Sequence, residues 1–218
     1  MLSFAQRGLR AGPAAGLLTL LVCAPIASAQ PIHGIGTDGG AFGPPSNGAP
    51  VITSISARQV PGQKFRIWGH VSDETPANCG VVVTGAANGV AMCNSNGDFD
   101  GIFDVATPGN ATATPGDGVQ SGQSRTVALT NVAPTVTVTA VQGANNTWTF
   151  RGTVGDEAPE GLIVTLSGSS GLNGTTATVP AGGGWTVTVT LPAGASGMVT
   201  ATVTDWYGLT RVGYTYFG

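Results

Sequence analysis

The chain has 218 residues, a formal net charge of -3 and only 9% charged residues, whereas an average globular domain has about 25%. This near-neutral balance argues against nucleic acid as a partner, because nucleic acid requires a basic face. The 35 glycines and 14 prolines, with many Thr and Val residues, favour short strands and tight turns over helices.

Residues 1–29 have the pattern of a secretion signal. Arg7 and Arg10 precede the apolar run 14–26, and small residues after it predict cleavage before Gln30. The chain is therefore expected outside the cytoplasm, either secreted or in the cell envelope.

This segment has two other interpretations, a membrane span and a lipoprotein signal. The apolar run is short and contains Pro25, and no later stretch approaches the roughly 20 apolar residues of a membrane span, so no span is expected. Lipidation of Cys23 is the open alternative to free secretion, although Val22 is bulky for a lipoprotein signal.

Composition and repetition then divide the exported chain. Residues 30–48 have no periodicity and predict a flexible leader. Residues 49–131 and 132–218 form two repeats of similar length, each opening with alternating residues after a proline. These repeats predict two small domains joined by the short linker Asn131–Pro134.

The clearest repeated stretch is "GHVSDETPANCGVVVTG" at 69–85, which returns as "GTVGDEAPEGLIVTLSG" at 152–168, an offset of 83 residues. Period-2 alternation predicts seven strands in each repeat, and hence an all-β fold of two seven-stranded sandwiches. The strands predicted in the first repeat are 51–57, 64–71, 81–84, 90–93, 99–105, 111–114 and 125–130, the sixth being interrupted by Pro115. Those predicted in the second repeat are 135–141, 147–154, 162–166, 175–179, 185–191, 199–204 and 212–217.

The alternation also predicts which residues face the core. The inward positions are Phe65, Ile67, Gly69, Val71, Phe99, Gly101 and Phe103 in the first repeat, and Trp148, Phe150, Gly152, Val154, Trp185, Val187 and Val189 in the second. Glycine is expected at positions 69 and 152 because a neighbouring side chain packs over each of them.

Cys79 and Cys93 are the cysteines left after signal removal. The sequence between them reads as a hairpin centred near Ala86, which places the two cysteines opposite each other. An even pair in an oxidising compartment predicts a disulfide, which would add about 3 kcal/mol. Two free buried thiols are the alternative.

No enzyme is expected, because the sequence lacks a recognisable nucleophile, metal or phosphate-binding motif. His33 falls in the leader, and His70 is predicted to be an outward-facing histidine with no paired acid. The stretch "NGDFDGIFD" at 96–104 partly fits a calcium loop, but Thr107 stands where the bidentate Glu belongs. It is therefore read as a turn that leads into a strand with Phe99 inward.

The stretch "VTATVTDWYGLT" at 199–210 resembles the sixth strand of immunoglobulin-like and fibronectin type III-like domains. Its inward Val199, Ala201 and Val203 are followed by a polar residue, Asp205, three before the turn glycine Gly208. The chain after residue 48 thus resembles a tandem pair of bacterial Ig-like domains of secreted and surface proteins. The cysteine pair that joins the two sheets of antibody domains is absent from both repeats.

The resemblance implies a non-enzymatic structural or adhesive protein outside the cell, with a cell-surface or extracellular protein or a polysaccharide as partner. The alternative is a carbohydrate- or protein-binding module that acts through loops at one pole of the sandwich, with Trp206 and Tyr207 as the candidate exposed aromatics.

An Ig-like sandwich would also gather acidic residues at its poles. Asp156, Glu157 and Glu160 are expected with Asp205 near the linker, and Asp73, Glu74, Asn94, Asn96 and Asp98 at the outer tip. Such oxygen ligands are weak candidates for Ca²⁺. Solvated turns are the favoured interpretation, and no other cofactor is expected.

Overall fold

The computed structural model describes residues 46–168 and 171–218. Within these ranges the fold is all-β and every strand pairing is antiparallel, with one short 3₁₀ turn at Pro76–Asn78. No helix in the described ranges is long and apolar enough to cross a membrane. The predicted signal peptide, the lipidation alternative at Cys23, and residues 30–45 of the predicted leader lie outside the described residues.

The N-terminal half contains two sheets packed around one hydrophobic core, here called the first sandwich. Its sheets have the orders β1-β2-β5 and β4-β3-β6-β7. The strands are β1 Val51–Val60, β2 Lys64–Ser72, β3 Gly80–Gly85, β4 Gly89–Met92, β5 Asp98–Asp104, β6 Gly109–Gly116 and β7 Arg125–Leu129.

The C-terminal half, here called the second sandwich, repeats this plan around a core of its own. One sheet has the order β13-β10-β8, with β9 also paired to β10, and the other has the order β12-β11-β14-β15. The strands are β8 Thr135–Val136, β9 Thr139–Gln142, β10 Thr147–Gly155, β11 Ile163–Gly168, β12 Thr175–Thr178, β13 Gly184–Thr190, β14 Gly197–Thr204 and β15 Thr210–Phe217.

The predicted inward register is observed in both halves. In the first sandwich Gly69 pairs with Phe99, and Phe65 pairs with Phe103. In the second, Gly152 pairs with Trp185. The large inward side chains are buried because a strand presents one face every second residue; they are Phe65, Ile67, Val71, Phe99, Phe103, Trp148, Phe150, Val154 and Trp185.

Strand ends shift by up to three residues elsewhere, but two strands differ more substantially from the sequence prediction. The single strand expected at 135–141 is divided into β8 and β9, so the second sandwich has one strand segment more than expected. The strand expected only over 111–114 extends through Pro115, which pairs with Val81. Pro115 lies beyond Ala113, where pairing of β6 with β7 ends, and a proline is tolerated at such a strand edge.

The two repeated glycines are explained by the irregular first strand of each sandwich. A Cβ at Gly69 would lie 2.1 Å from Ser54 O and 2.8 Å from the Phe99 ring. A Cβ at Gly152 would lie 1.9 Å from Thr137 O. The register of β1 shifts next to Ser54, and Thr137 lies in the break between β8 and β9. A side chain does pack over each glycine, as expected, but the nearest obstacle is a backbone carbonyl.

Candidate functional site

The two sandwiches meet end to end, and the turn between β14 and β15 lies at this joint. Asp205 in that turn is 6% exposed. Its Oδ1 accepts hydrogen bonds from the backbone N–H groups of Tyr207 at 2.9 Å and Leu209 at 2.8 Å. Its Oδ2 accepts a hydrogen bond from Nδ2 of Asn131, in the linker, at 2.8 Å. One carboxylate therefore shapes the turn and fastens the linker to the second sandwich.

The two aromatic residues of this turn are divided between the sandwiches. Tyr207 packs against the core of the first sandwich, with its ring centroid 6.2 Å from that of Phe65. Trp206 stays with the second sandwich, and its Nε1 donates to Ala158 O at 2.8 Å. Both rings are half-buried. The alternative function predicted both to be exposed at a binding pole; Tyr207 instead contacts the first sandwich, whereas Trp206 stays partly exposed on the second.

The acidic loop after β10 faces the turn between β1 and β2 of the first sandwich. A depression of about 230 Å³ lies between them, lined by Arg58 and Pro61 on one side and by Glu157 and Glu160 on the other. Both sandwiches therefore contribute side chains to the joint, so the joint includes residues outside the linker.

The joint also contains buried polar atoms that have no hydrogen-bond partner among the described residues. They are Oε1 and Nε2 of Gln59, Oδ1 of Asn131, Oδ2 of Asp156 and the hydroxyl of Tyr207. A group of this kind costs about 1–3 kcal/mol when it is removed from water. Burial, followed by the charges of Glu157 and Asp205, raises the pKa of Asp156. The docked arrangement is thus stabilised by a few contacts and opposed by several desolvated groups.

The first sandwich has an equivalent Asn–Asp hydrogen bond where the chain enters it, and this type of bond is here called the entry tie. Nδ2 of Asn47 donates to Oδ2 of Asp117 at 2.7 Å, and Oδ1 of Asp117 accepts from the backbone N–H groups of Val119 and Gln120. Asn47 begins the sequence Asn-Gly-Ala-Pro, as Asn131 begins Asn-Val-Ala-Pro. Asn47 was assigned to the flexible leader, but it is bonded to the first sandwich. The repeated Asn-x-Ala-Pro was the sequence signal for this tie.

Cys79 and Cys93 lie opposite each other, as the hairpin predicted. The pair Gly80–Met92 is in register, and Cys93 N donates to Cys79 O at 3.0 Å. Both side chains are buried free thiols in this structure. Burial, followed by the nearby Cys93 and Asp73, raises the pKa of Cys79 to about 12. The predicted disulfide is not formed here, and its formation on oxidation stays a prediction.

The acidic residues singled out for calcium act mainly as hydrogen-bond acceptors in turns. Asp73 accepts from Thr75 N at 2.7 Å, Glu74 from Gly48 N at 3.0 Å, and Asp156 from Ala158 N at 2.8 Å. Among the described residues, no group of three or more His, Cys, Asp or Glu side chains is arranged to hold a metal ion. Calcium binding remains an untested prediction.

The stretch at 96–104 is a turn followed by β5, and Phe99 is buried. Asp98 and Asp100 face outward and pair across to β2. His70 Nδ1 lies 2.9 Å from Asp98 Oδ1, and Arg66 donates through both Nε and Nη2 to the carboxylate of Asp100. His70 therefore has an acidic partner, and the prediction that it has none was wrong. The carboxylates of the stretch that partly fits a calcium loop therefore connect β5 to β2 through side-chain contacts.

No protein-family model matches the chain, and no curated protein does. Among solved structures, a tetra-tandem repeat from the extending region of a large adhesion protein matches with a TM-score of 0.36 and 19% identity, over 79% of this chain and 49% of the other. The Yersinia pseudotuberculosis adhesin InvE matches with a TM-score of 0.32 and 14% identity, over 76% and 58%. The D0-D1 domain of intimin matches with a TM-score of 0.28 and 15% identity, over 76% and 98%.

This chain thus spans about half the length of the adhesion-protein repeat and somewhat more than half of InvE. The TM-scores are too low for these similarities to carry an argument, so the function is argued from the geometry of the chain.

Proposed function

We propose that the chain is a non-enzymatic structural or adhesive protein that works outside the cell and is built from two Ig-like domains placed end to end. The observation that carries this proposal is the joint. Asn131 of a four-residue linker is bonded to Asp205, and Tyr207 reaches across to Phe65. Such a joint restricts the movement of one module relative to the other, which is what a spacer or an adhesive rod requires.

The repeated entry tie supports the same function. Asn47–Asp117 and Asn131–Asp205 are equivalent bonds in equivalent places, so each sandwich carries its own device for orienting the chain that enters it. A modular array is built in this way, by repeating one type of domain and one type of connection. Export by the predicted signal peptide is part of the proposal.

The test compares cells that produce the full chain with cells of the same strain that lack its gene. We expect the chain to be digested by protease added to intact cells or to be found in the medium, and we expect attachment to surfaces to fall in the deletion strain. Retention of the chain in the cytoplasm, or unchanged attachment together with unchanged envelope integrity, would contradict the proposal. A variant with Asn131→Ala and Tyr207→Ala serves as a control that keeps both modules but weakens the joint.

A further inference from the structure

The outer face of the β12-β11-β14-β15 sheet combines many threonines with two exposed tyrosines. Its outward residues include no Asp, Glu, Lys, Arg or His, and most are threonines. The set, here called the threonine–tyrosine face, consists of Ile163, Thr165, Ser167, Thr176, Thr178, Met198, Thr200, Thr202, Thr204, Thr210, Val212, Tyr214 and Tyr216.

Two tyrosines dominate this face. Tyr214 is 69% exposed and Tyr216 is 72% exposed. They are two residues apart on β15, so they point the same way and their Cα atoms are about 7 Å apart. Tyr214 lies opposite Thr200, and Tyr216 lies opposite Met198. Large exposed aromatic side chains on a rigid sheet mark an interaction surface.

A third aromatic residue closes the other end of the face. Trp206 lines a shallow depression of about 390 Å³ together with Ile163, Thr165, Thr202 and Thr204. Its indole is held in place by the hydrogen bond to Ala158 O. The face is therefore an extended strip with aromatic rings at both ends and threonine hydroxyl groups between them.

The first sandwich lacks this feature at the same positions. On β7, Thr126 lies opposite Thr112 and Ala128 lies opposite Asn110. Thr126 therefore stands where the second sandwich has Tyr214, and Ala128 stands where it has Tyr216. The sandwich fold therefore does not require aromatic residues at these positions. The tyrosines are not needed to hold the sheet together.

We infer that the threonine–tyrosine face binds an uncharged polysaccharide. The flat rings of Tyr214, Tyr216 and Trp206 match the C–H faces of successive sugar rings, and the threonine hydroxyl groups match their hydroxyl groups. The lack of charge disfavours acidic or basic polymers, which would be held by ion pairs. A Cβ at Gly213 would lie only 2.6 Å from Val136 O, so β8 packs against the inner side of β15 and the threonine–tyrosine face lies on the opposite side.

This inference deepens the proposed function by naming the adhesive face and its ligand. The test is affinity electrophoresis of the full exported chain in gels that contain laminarin, mannan, xyloglucan or hydroxyethyl cellulose, with polygalacturonate as the charged comparison. The variant with Tyr214→Thr and Tyr216→Ala gives the second sandwich the residues that the first one has. The matched control, Val90→Thr with Met92→Ala, removes exposed apolar side chains from the first sandwich.

We expect at least one neutral polysaccharide to retard the wild type and the control, and the tyrosine variant to bind it about tenfold more weakly or not at all. Equal retardation of the variant, preference for polygalacturonate, or no retardation by any neutral polysaccharide would overturn the inference. So would a wild-type dimer in light scattering that the tyrosine variant converts to a monomer. Cells that still attach when purified protein binds no polysaccharide would leave the proposed function in place.

Discussion

At the scale of single residues, the cysteine pair is the feature whose chemistry depends most on where the chain resides. The two thiols are buried, and burial raises the pKa of Cys93 as well as that of Cys79, the latter to about 12, so neither ionises at neutral pH. Because the thiolate is the reactive form, we expect the folded, reduced protein to react very slowly with iodoacetamide at pH 7.5.

Exposure to a glutathione redox buffer at an extracellular poise should join Cys79 to Cys93, with the oxidised glutathione taking the two electrons and two protons. Mass spectrometry of the exported protein, alkylated after unfolding without reductant, should show no free thiol. Two labelled thiols would contradict this prediction. The Cys79→Ala variant is the control, because it leaves Cys93 without a partner.

Asp156 has a pKa that is raised in the folded state, chiefly by burial. A carboxyl group of this kind stabilises the fold when it is protonated, and that contribution is lost as the pH rises through its folded pKa. At pH 7 the charged form therefore opposes folding. Asp156→Asn keeps an acceptor for Ala158 N and removes the charge.

We expect Asp156→Asn to raise the melting temperature at pH 7 by about 2 °C, and the difference from wild type to shrink as the pH falls toward 4. Thermal melts at several pH values measure this. A gain that persists unchanged at low pH would mean that charge is not its cause. The neighbouring exposed Glu157→Gln is the control and should have a smaller effect.

At the scale of the strand, the irregular first strand of each sandwich leaves no room for a side chain at the glycine that faces it on the neighbouring strand. We expect Gly69→Ala and Gly152→Ala each to cost about 1–3 kcal/mol, because the new Cβ would meet Ser54 O or Thr137 O within about 2 Å. Gly184→Ala is the matched control, since its Cβ would have nothing within 4 Å. Urea unfolding gives the three values. Equal stability of the variants would show that the first strand shifts to admit a methyl group.

Most strands could be predicted from the sequence because alternation is a local signal. β2 and β10 were placed within one residue, since their buried faces carry only large apolar residues and glycine. β8 and β9 were merged because the break at Thr137–Val138 is caused by packing against Gly152, which no local pattern records.

The site was harder to predict because it depends on which loops meet. The Asn131–Asp205 bond joins residues 74 positions apart, and only the recurrence of Asn-x-Ala-Pro hinted at it. The face of Tyr214 and Tyr216 was missed because alternation normally turns the larger residues inward. On β15 the inward side carries Gly213, since Val136 O approaches there, and the tyrosines are left outside.

At the scale of the whole molecule, the two cores share no buried residue, so each half is expected to fold alone. A fragment of residues 132–218 should unfold in one cooperative transition and give a β-type circular dichroism spectrum. Its melting temperature should lie near the value for the same half in the full chain with Tyr207→Ala, in which the contact with Phe65 is also lost. A disordered fragment would show that the two halves depend on each other.

The entry tie has a consequence for how the molecule carries load. In the second sandwich the chain enters at Asn131, which is bonded to the turn that begins β15, so β8 and β15 start side by side and run in the same direction. The first sandwich is alike, since Arg125 at the start of β7 contacts Thr53 O. Tension applied along the chain therefore pulls the first and last strands of each module in opposite directions along their length. Their contacts must slide apart together, whereas a hairpin pulled from its open end separates one pair at a time.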